Sequence, residues 1–146
     1  MNSLSILALL AGAAIAVQAS MNAHLGALLK NALFSTMVAF AFSCVFIMLS
    51  MLITNNNLPS VTTLKSIPIY LWFSGILSAF GVGMSYYLIP KMGVGSMMSY
   101  ALTGQIIIAV IASHFGWFEL PIKHISALKV IGVIALIAGI LLVNWE

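Results

Sequence analysis

The sequence predicts an all-α polytopic membrane protein with five transmembrane helices. Hydrophobic residues make up 63% of the 146 residues and charged residues only 5%, whereas soluble domains carry about 25% charged residues. The mean hydropathy is +1.20. No charged residue precedes Lys30, and the next one is Lys65. Each of these uncharged stretches therefore exceeds the roughly 20 residues that a spanning helix needs.

Apolar runs between the lysines define the five candidate spans. They belong to one predicted domain, residues 1–146, and cover residues 4–23, 32–53, 68–89, 93–115 and 126–145. The segments between them contain turn-forming residues, as in "NNNLPS" (55–60), "PKMGVG" (90–95) and "FELPIKH" (118–124). Tryptophans fall near predicted span ends, where amphipathic rings favour the headgroup layer. The sequence thus predicts short connections between neighbouring helices.

The lysines give little instruction about orientation in the membrane. Five spans place Lys65, Lys123 and Lys129 on the side of the N-terminus, and Lys30 and Lys91 on the other side. Because lysine and arginine in short loops set orientation, this near balance allows insertion both ways and pairing with an inverted copy. A single orientation, set by helix hydrophobicity or by a partner, is an equal alternative.

Several classes of protein have no support in the sequence. Five scattered lysines without any arginine form no basic patch, so no nucleic-acid partner is expected. Paired acids, a nucleophile elbow and a His–Cys cluster are all missing from the sequence, so we predict no enzyme, no cofactor and no metal. Cys44 is the single cysteine. The expected partners are the lipid bilayer and a small-molecule substrate, with a structural or regulatory membrane subunit as the alternative.

A polar face in the first span is the main candidate for a binding site. Gln18 and Asn22 are four residues apart and so share one face of a helix. An amide without partners is costly in hydrocarbon, which predicts that this face meets the bundle interior or a wet cavity and holds a polar, not strongly cationic solute. Gln105 would add a third amide, with Tyr100 and Trp72 as aromatic walls. Alternatively, the three amides only bridge helices, and Trp72 is an interface anchor.

Two histidines and two patterns of small residues complete the candidates. His24 and His114 could couple transport to protons, although a structural role at headgroup level is the favoured interpretation. Small residues lie at i, i+3 and i+7 in the last span, which fits either a dimer helix or internal packing; they are Gly132, Ala135 and Gly139. A similar stripe in the third span is expected to pack internally, and it consists of Ser74, Ser78, Gly81 and Ser85.

Five segments in order resemble the YdcZ-type family of the drug/metabolite transporter superfamily. They are "VQASMNAHLG", "YLWFSGILSAF", "PKMGVG", "TGQIIIAVIASHFGWF" and "KVIGVIALIAGILLVN". The resemblance implies a five-helix half-transporter in the bacterial inner membrane, moving a small polar or amphipathic metabolite or drug-like solute by alternating access. It also implies an antiparallel homodimer or a homologous paired subunit.

One position departs from the family pattern. Members commonly carry an acidic residue eight positions after the glutamine of the fourth helix, and counting from Gln105 gives Ser113 here. The only acids are Glu119 and Glu146. A heterodimer whose partner supplies an acidic coupling residue is therefore a second expectation.

Overall fold

The computed structural model describes residues 2–54 and 58–145. Residues 55–57, which begin the predicted "NNNLPS" loop, lie outside the described residues, as do Met1 and Glu146. Every regular element in the two described ranges is helical, which confirms the all-α prediction.

Six α-helices follow one another within the described residues. They are α1 (Ser3–Leu28), α2 (Ala32–Ile53), α3 (Val61–Ser66), α4 (Ser74–Met92), α5 (Val94–Phe115) and α6 (Ala127–Val143). A 3-10 turn (Ile69–Phe73) leads directly into α4, and a second one (Trp117–Glu119) follows α5.

The helix bounds lie close to the predicted spans, with three differences. Helix α1 continues to Leu28, five residues beyond the predicted end, and the short helix α3 was not predicted. Four helical segments among the described residues are long and apolar enough to cross a membrane, with Ile69–Met92 counted as one. Helix α6 is a shorter apolar helix of 17 residues, or about 26 Å, instead of the predicted 20-residue span.

Local sequence signals set the helix ends. Asn31 begins α2, because its side-chain oxygen accepts a hydrogen bond from the Phe34 N–H at 3.0 Å, a standard N-cap contact. Helix α1 ends in a Schellman motif: the Lys30 N–H donates to Ala27 O at 3.1 Å, and the Asn31 N–H to Gly26 O at 2.9 Å. Lys30 takes the left-handed conformation with φ 52°, which costs a residue with a Cβ about 1–2 kcal/mol.

The chain forms two compact units, one up to Lys91 and one from Met92 onward. Small side chains bring the helices of the first unit together. Ala19, Ala23 and Gly26 of α1 are buried, as are Ser35 and Thr36 of α2. A Cβ on Gly26 would lie 3.3 Å from Ala32 Cα and 3.3 Å from Ser35 Cβ. The backbone of α1 at Gly26 therefore packs directly against the start of α2, with no room for a larger residue.

Helix α4 packs through a face that the sequence analysis did not choose. Its buried residues are Gly83, Tyr86 and Ile89, and a Cβ on Gly83 would lie 3.4 Å from Thr36 Oγ1. Within the expected stripe, Ser74, Ser78 and Gly81 are exposed and Ser85 is half-buried. The predicted internal packing of that stripe is not found within the first unit, because Tyr86, with its bulk and its hydroxyl, turns an adjacent side of α4, about 100° around the helix axis, toward α1 and α2.

In the second unit, α5 and α6 pack against each other, and polar contacts fix the segment between them. Lys129 Nζ donates to the carbonyl oxygens of Lys123 at 3.1 Å and His124 at 2.8 Å. The Lys123 N–H donates to Ser113 O at 2.8 Å. At the far end of the pair, Asn144 Nδ2 donates to Ser99 Oγ at 2.9 Å.

Candidate functional site

The candidate site is centred on the hydroxyl of Tyr86, in α4. Only 1% of this side chain is exposed, although α4 belongs to a segment that can span the bilayer. A phenol in that position needs hydrogen-bond partners, because hydrocarbon offers none.

The partners are the two amides of the predicted polar face. Gln18 Nε2 and Asn22 Nδ2 of α1 both donate to Tyr86 Oη, the latter at 3.1 Å. Since residues four apart lie one turn above each other, one helix presents both amides to one oxygen. The structure thus brings Gln18 and Asn22 together, and we call Gln18, Asn22 and Tyr86 the amide–phenol cluster.

The position of the amide–phenol cluster follows from how α1 packs. One face of α1 is buried against its neighbours in the unit, and it consists of Ala19, Ala23 and Gly26. Asn22 lies beside this face and is half-buried. Ser35 Oγ donates to the backbone oxygen of Asn22 at 2.5 Å. This contact anchors the Asn22 turn of α1 to α2, so three helices hold the cluster in place.

The amide–phenol cluster retains unused hydrogen-bonding capacity and has no formal charge. Each primary amide has a carbonyl acceptor and a second N–H beyond the one that contacts Tyr86. The phenol oxygen accepts twice and still has its own proton to donate. Gln18 is exposed and Asn22 half-buried, so a molecule outside the unit can reach these groups. The arrangement suits a polar, uncharged group of a solute.

The other predicted binding residues belong to other helical segments than α1. Trp72 is 58% exposed and lies fourteen positions before Tyr86, or about 20 Å along the segment, so it does not line the cluster of its own chain. Gln105 and Tyr100 lie on α5 in the second unit and are exposed. Ser99 and Thr103, on the same helix, donate to backbone oxygens of α5 at 2.9 Å.

The two histidines have different environments. His24 is exposed on α1. His114 Nδ1 accepts a hydrogen bond from the Ile125 N–H at 3.2 Å, and its ring packs edge-on against His124 with centroids 5.5 Å apart. His114 therefore fastens the end of α5 to the segment before α6.

The predicted dimer residues lie on an open side of α6. Gly132 and Ala135 are exposed and Gly139 is half-buried. A Cβ added to Gly132 or Gly139 would meet no atom within 4 Å among the described residues. The space beside these two glycines is not filled by a described side chain.

The sequence analysis missed Tyr86, the buried centre of the site. The predicted span ends at residue 89, which puts Tyr86 three residues from a span end, where a tyrosine is typical of an interface anchor. The structure continues α4 to Met92, so Tyr86 lies six residues before the helix end and its hydroxyl needs a polar partner on a neighbouring helix.

The fold and the uncharged polar cluster define a helical, polytopic membrane protein. The profile of the family described as "Putative inner membrane exporter, YdcZ" matches residues 3–142. The chain therefore belongs to the YdcZ family, within the drug/metabolite transporter superfamily. It is an integral inner-membrane protein and a membrane transporter. No curated protein and no solved structure matches the chain.

Proposed function

We propose that the chain is one half of an exporter that moves a small polar or amphipathic solute by alternating access. The observation that carries this proposal is the amide–phenol cluster, in which two amides of α1 donate to the buried Tyr86 hydroxyl of α4. The side chain of Gln18 is exposed, so the cluster can be reached from outside the unit. Polar side chains inside membrane spans are costly, so a cluster of them with unused hydrogen-bonding capacity is a candidate for a substrate path.

The charge of the cluster limits the solute. No aspartate or glutamate occurs in residues 1–91, so the unit that holds the cluster has no carboxylate to neutralise a cation. Proton-coupled exchange of a cation would need an acidic group from elsewhere, and His24 and His114 are kept as the candidates for proton coupling. The solute is therefore neutral or not strongly cationic.

An antiparallel homodimer is the proposed assembly. Transporters commonly bind their substrate between two inverted repeats near the middle of the membrane, and a single chain of this length supplies one such half. The exposed Gln18 and the open side of α6 are two surfaces that a second, inverted copy would cover. Gln105 and Tyr100 are proposed to add to the same solute path.

The proposal is tested by comparing what cells release. Cells that express the chain, the double variant Gln18→Leu/Asn22→Leu or the control Ser20→Ala are grown alike, and solutes in the medium are measured by mass spectrometry. Ser20 is a matched control because it lies between the two amides in sequence, but its hydroxyl donates to Ala16 O at 2.7 Å. We expect a solute that accumulates outside cells with the wild type and the control, and at least tenfold less with the double variant.

Oligomeric state and membrane content accompany the assay, so that a loss of export is not confused with a loss of folding. Export that continues unchanged in a folded double variant would contradict the assignment of the cluster. If the medium of cells that express the wild type contains the same solutes at the same levels as the medium of cells without the chain, the exporter proposal is wrong. The alternative function, a structural or regulatory membrane subunit, then takes its place.

A further inference from the structure

A second polar site lies at the end of the first unit that holds the α1–α2 turn. A cavity of about 220 Å³ opens there between this turn and the last turn of α4. Both Lys30 and Lys91 line it, together with Asn31, Tyr87 and Pro90. The two lysines that the spans placed on one side of the membrane therefore share one cavity.

The positive charge of this cavity is not neutralised within its unit. Residues 1–91 contain no aspartate or glutamate, so neither ammonium group has a carboxylate partner there. Lys91 Nζ lies 3.6 Å from the centroid of the Tyr87 ring, a cation–π contact that orients the ammonium group but leaves its charge. Two such charges at the edge of a membrane attract an anion.

The conformation of Lys30 supports a role for its side chain. Lys30 occupies the left-handed position of the Schellman motif with φ 52°, where glycine is the usual residue because it has no Cβ. The chain thus places a strained, charged residue at a position that glycine would occupy without strain. Strain at a defined position is a reason to look for function.

An apolar groove continues from the charged cavity. It has a volume of about 300 Å³ and shares Ala32 and Tyr87 with the cavity. Leu33, Phe80 and Met84 are among the side chains that line it. The groove follows α4 from Ala79 to Tyr87, or about 12 Å, which is room for a run of methylene groups. The cationic cavity and the apolar groove together fit a molecule that has an anionic head and a hydrocarbon tail.

We propose that this surface binds one anionic phospholipid of the surrounding membrane. The phosphate lies between Lys30 and Lys91, and one acyl chain lies along Phe80 and Met84. The groove favours a lipid over a soluble anion, because a soluble anion would use the two lysines and leave the apolar part uncovered.

Tyr86 also lines the cavity, but its oxygen already accepts hydrogen bonds from Gln18 and Asn22, so the lipid site adjoins the amide–phenol cluster and uses the two lysines instead. The lipid proposal does not depend on the exporter proposal.

The test uses the purified chain in a neutral detergent and three probes: short-chain phosphatidylglycerol, short-chain phosphatidylcholine and glycerol 1-phosphate. The midpoint of thermal unfolding is followed by tryptophan fluorescence. We expect a saturable rise with phosphatidylglycerol, a smaller one with phosphatidylcholine and none with glycerol 1-phosphate. Lys91→Gln should weaken the apparent affinity for phosphatidylglycerol about fivefold, the equivalent of about 1 kcal/mol for one lysine, and Lys91→Arg should retain it.

Lys30→Gly distinguishes binding from folding. It removes the charge and also relieves the left-handed conformation, so we expect unfolding of the lipid-free variant at the same or a higher temperature, with affinity reduced about fivefold. Lys65→Gln, which removes a lysine of the same unit that does not line the cavity, should change nothing. Equal effects of the two lipids, or unaltered binding by the Lys30 and Lys91 variants, would overturn the proposal. If glycerol 1-phosphate raised the unfolding midpoint as much as phosphatidylglycerol does, the proposal of a lipid would be wrong and the ligand would be a soluble anion.

Discussion

Tyr86 illustrates how a single buried hydroxyl organises one unit of a membrane protein. It is 1% exposed, and its oxygen is the common acceptor for two amides on another helix. Hydrogen bonds between membrane helices average about 0.6 kcal/mol each, so the pair contributes modestly to stability. Their larger effect is geometric, because the shared acceptor fixes the positions of both amides.

Removing the Tyr86 hydroxyl should therefore weaken the unit without abolishing its fold. For Tyr86→Phe we expect a loss of about 1–2 kcal/mol in the free energy of unfolding, since two amides lose their acceptor. Reversible unfolding in mixed detergent micelles measures it. Tyr87→Phe is the control, because Tyr87 is exposed and a phenylalanine ring still packs under Lys91.

A double-mutant cycle adds the pairwise interaction. Tyr86→Phe combined with Gln18→Leu should show a coupling energy of roughly 0.5–1 kcal/mol. Equal stability of the Tyr86 and Tyr87 variants, with no coupling, would mean that the cluster does not form in the membrane protein.

At the scale of the helices, close approach depends on residues without bulk. Gly26 lies where α1 turns into α2, and Gly83 faces Thr36 of α2. In lipid, where burial of apolar surface gives no net advantage, such small residues let helices gain van der Waals contact. The α1–α2 hairpin is therefore sensitive to single methyl groups.

Gly26→Ala should destabilise the first unit by about 1–2 kcal/mol, because the new methyl group lies 3.3 Å from the Cα of Ala32, and a backbone atom has to move to relieve this overpacking. Gly12→Ala, on the same helix, meets no atom within 4 Å and should be neutral or slightly stabilising. Unfolding in mixed micelles compares the two variants. Equal effects would show that the hairpin does not depend on close packing at Gly26.

The helices were easier to predict than the contacts between them. Hydropathy gives α2 with the bounds 32–53 that the structure shows, because an uninterrupted apolar run has only one way to satisfy its backbone in lipid. Hydropathy placed the end of α1 too early, because the polar residues Asn22 and His24 resemble a helix end. In the structure both lie within α1: the Asn22 amide donates to Tyr86, and His24 is exposed. The small residues of α4 were visible in the sequence, but which side faces inward depends on Tyr86 finding the α1 amides, a contact between residues 64 and 68 positions apart.

On the scale of the whole molecule, charge and open surfaces both favour a second copy. Five lysines divide three to two between the predicted sides, which is a weak instruction for orientation. A Cβ added to Gly132 or Gly139 of α6 would meet no atom within 4 Å in the described part of the chain. An inverted copy would cover α6 and complete a two-fold symmetric path lined by two amide–phenol clusters.

The α6 surface makes a direct prediction about assembly. If two copies pair through α6 as proposed, Gly132→Leu should give a monomer in detergent while leaving helix content unchanged, because the new side chain fills space that a partner helix would need. Gly104→Leu on α5 is the control, since a Cβ there also meets no atom within 4 Å. Light scattering coupled to size-exclusion chromatography gives the mass. If both variants stay dimeric, α6 is not the contact between copies.

The central claim, that inverted copies form the working unit, is tested most directly by the orientation of the C-terminus. Cys44, an exposed cysteine on α2, is replaced by serine, and one cysteine is added after Glu146. Intact cells are then labelled with a membrane-impermeant thiol reagent before and after permeabilisation. We predict that roughly half of the protein is labelled from outside, as dual insertion requires. Labelling of all or none of the protein in intact cells would contradict the antiparallel homodimer and would direct the search to an oppositely inserted partner.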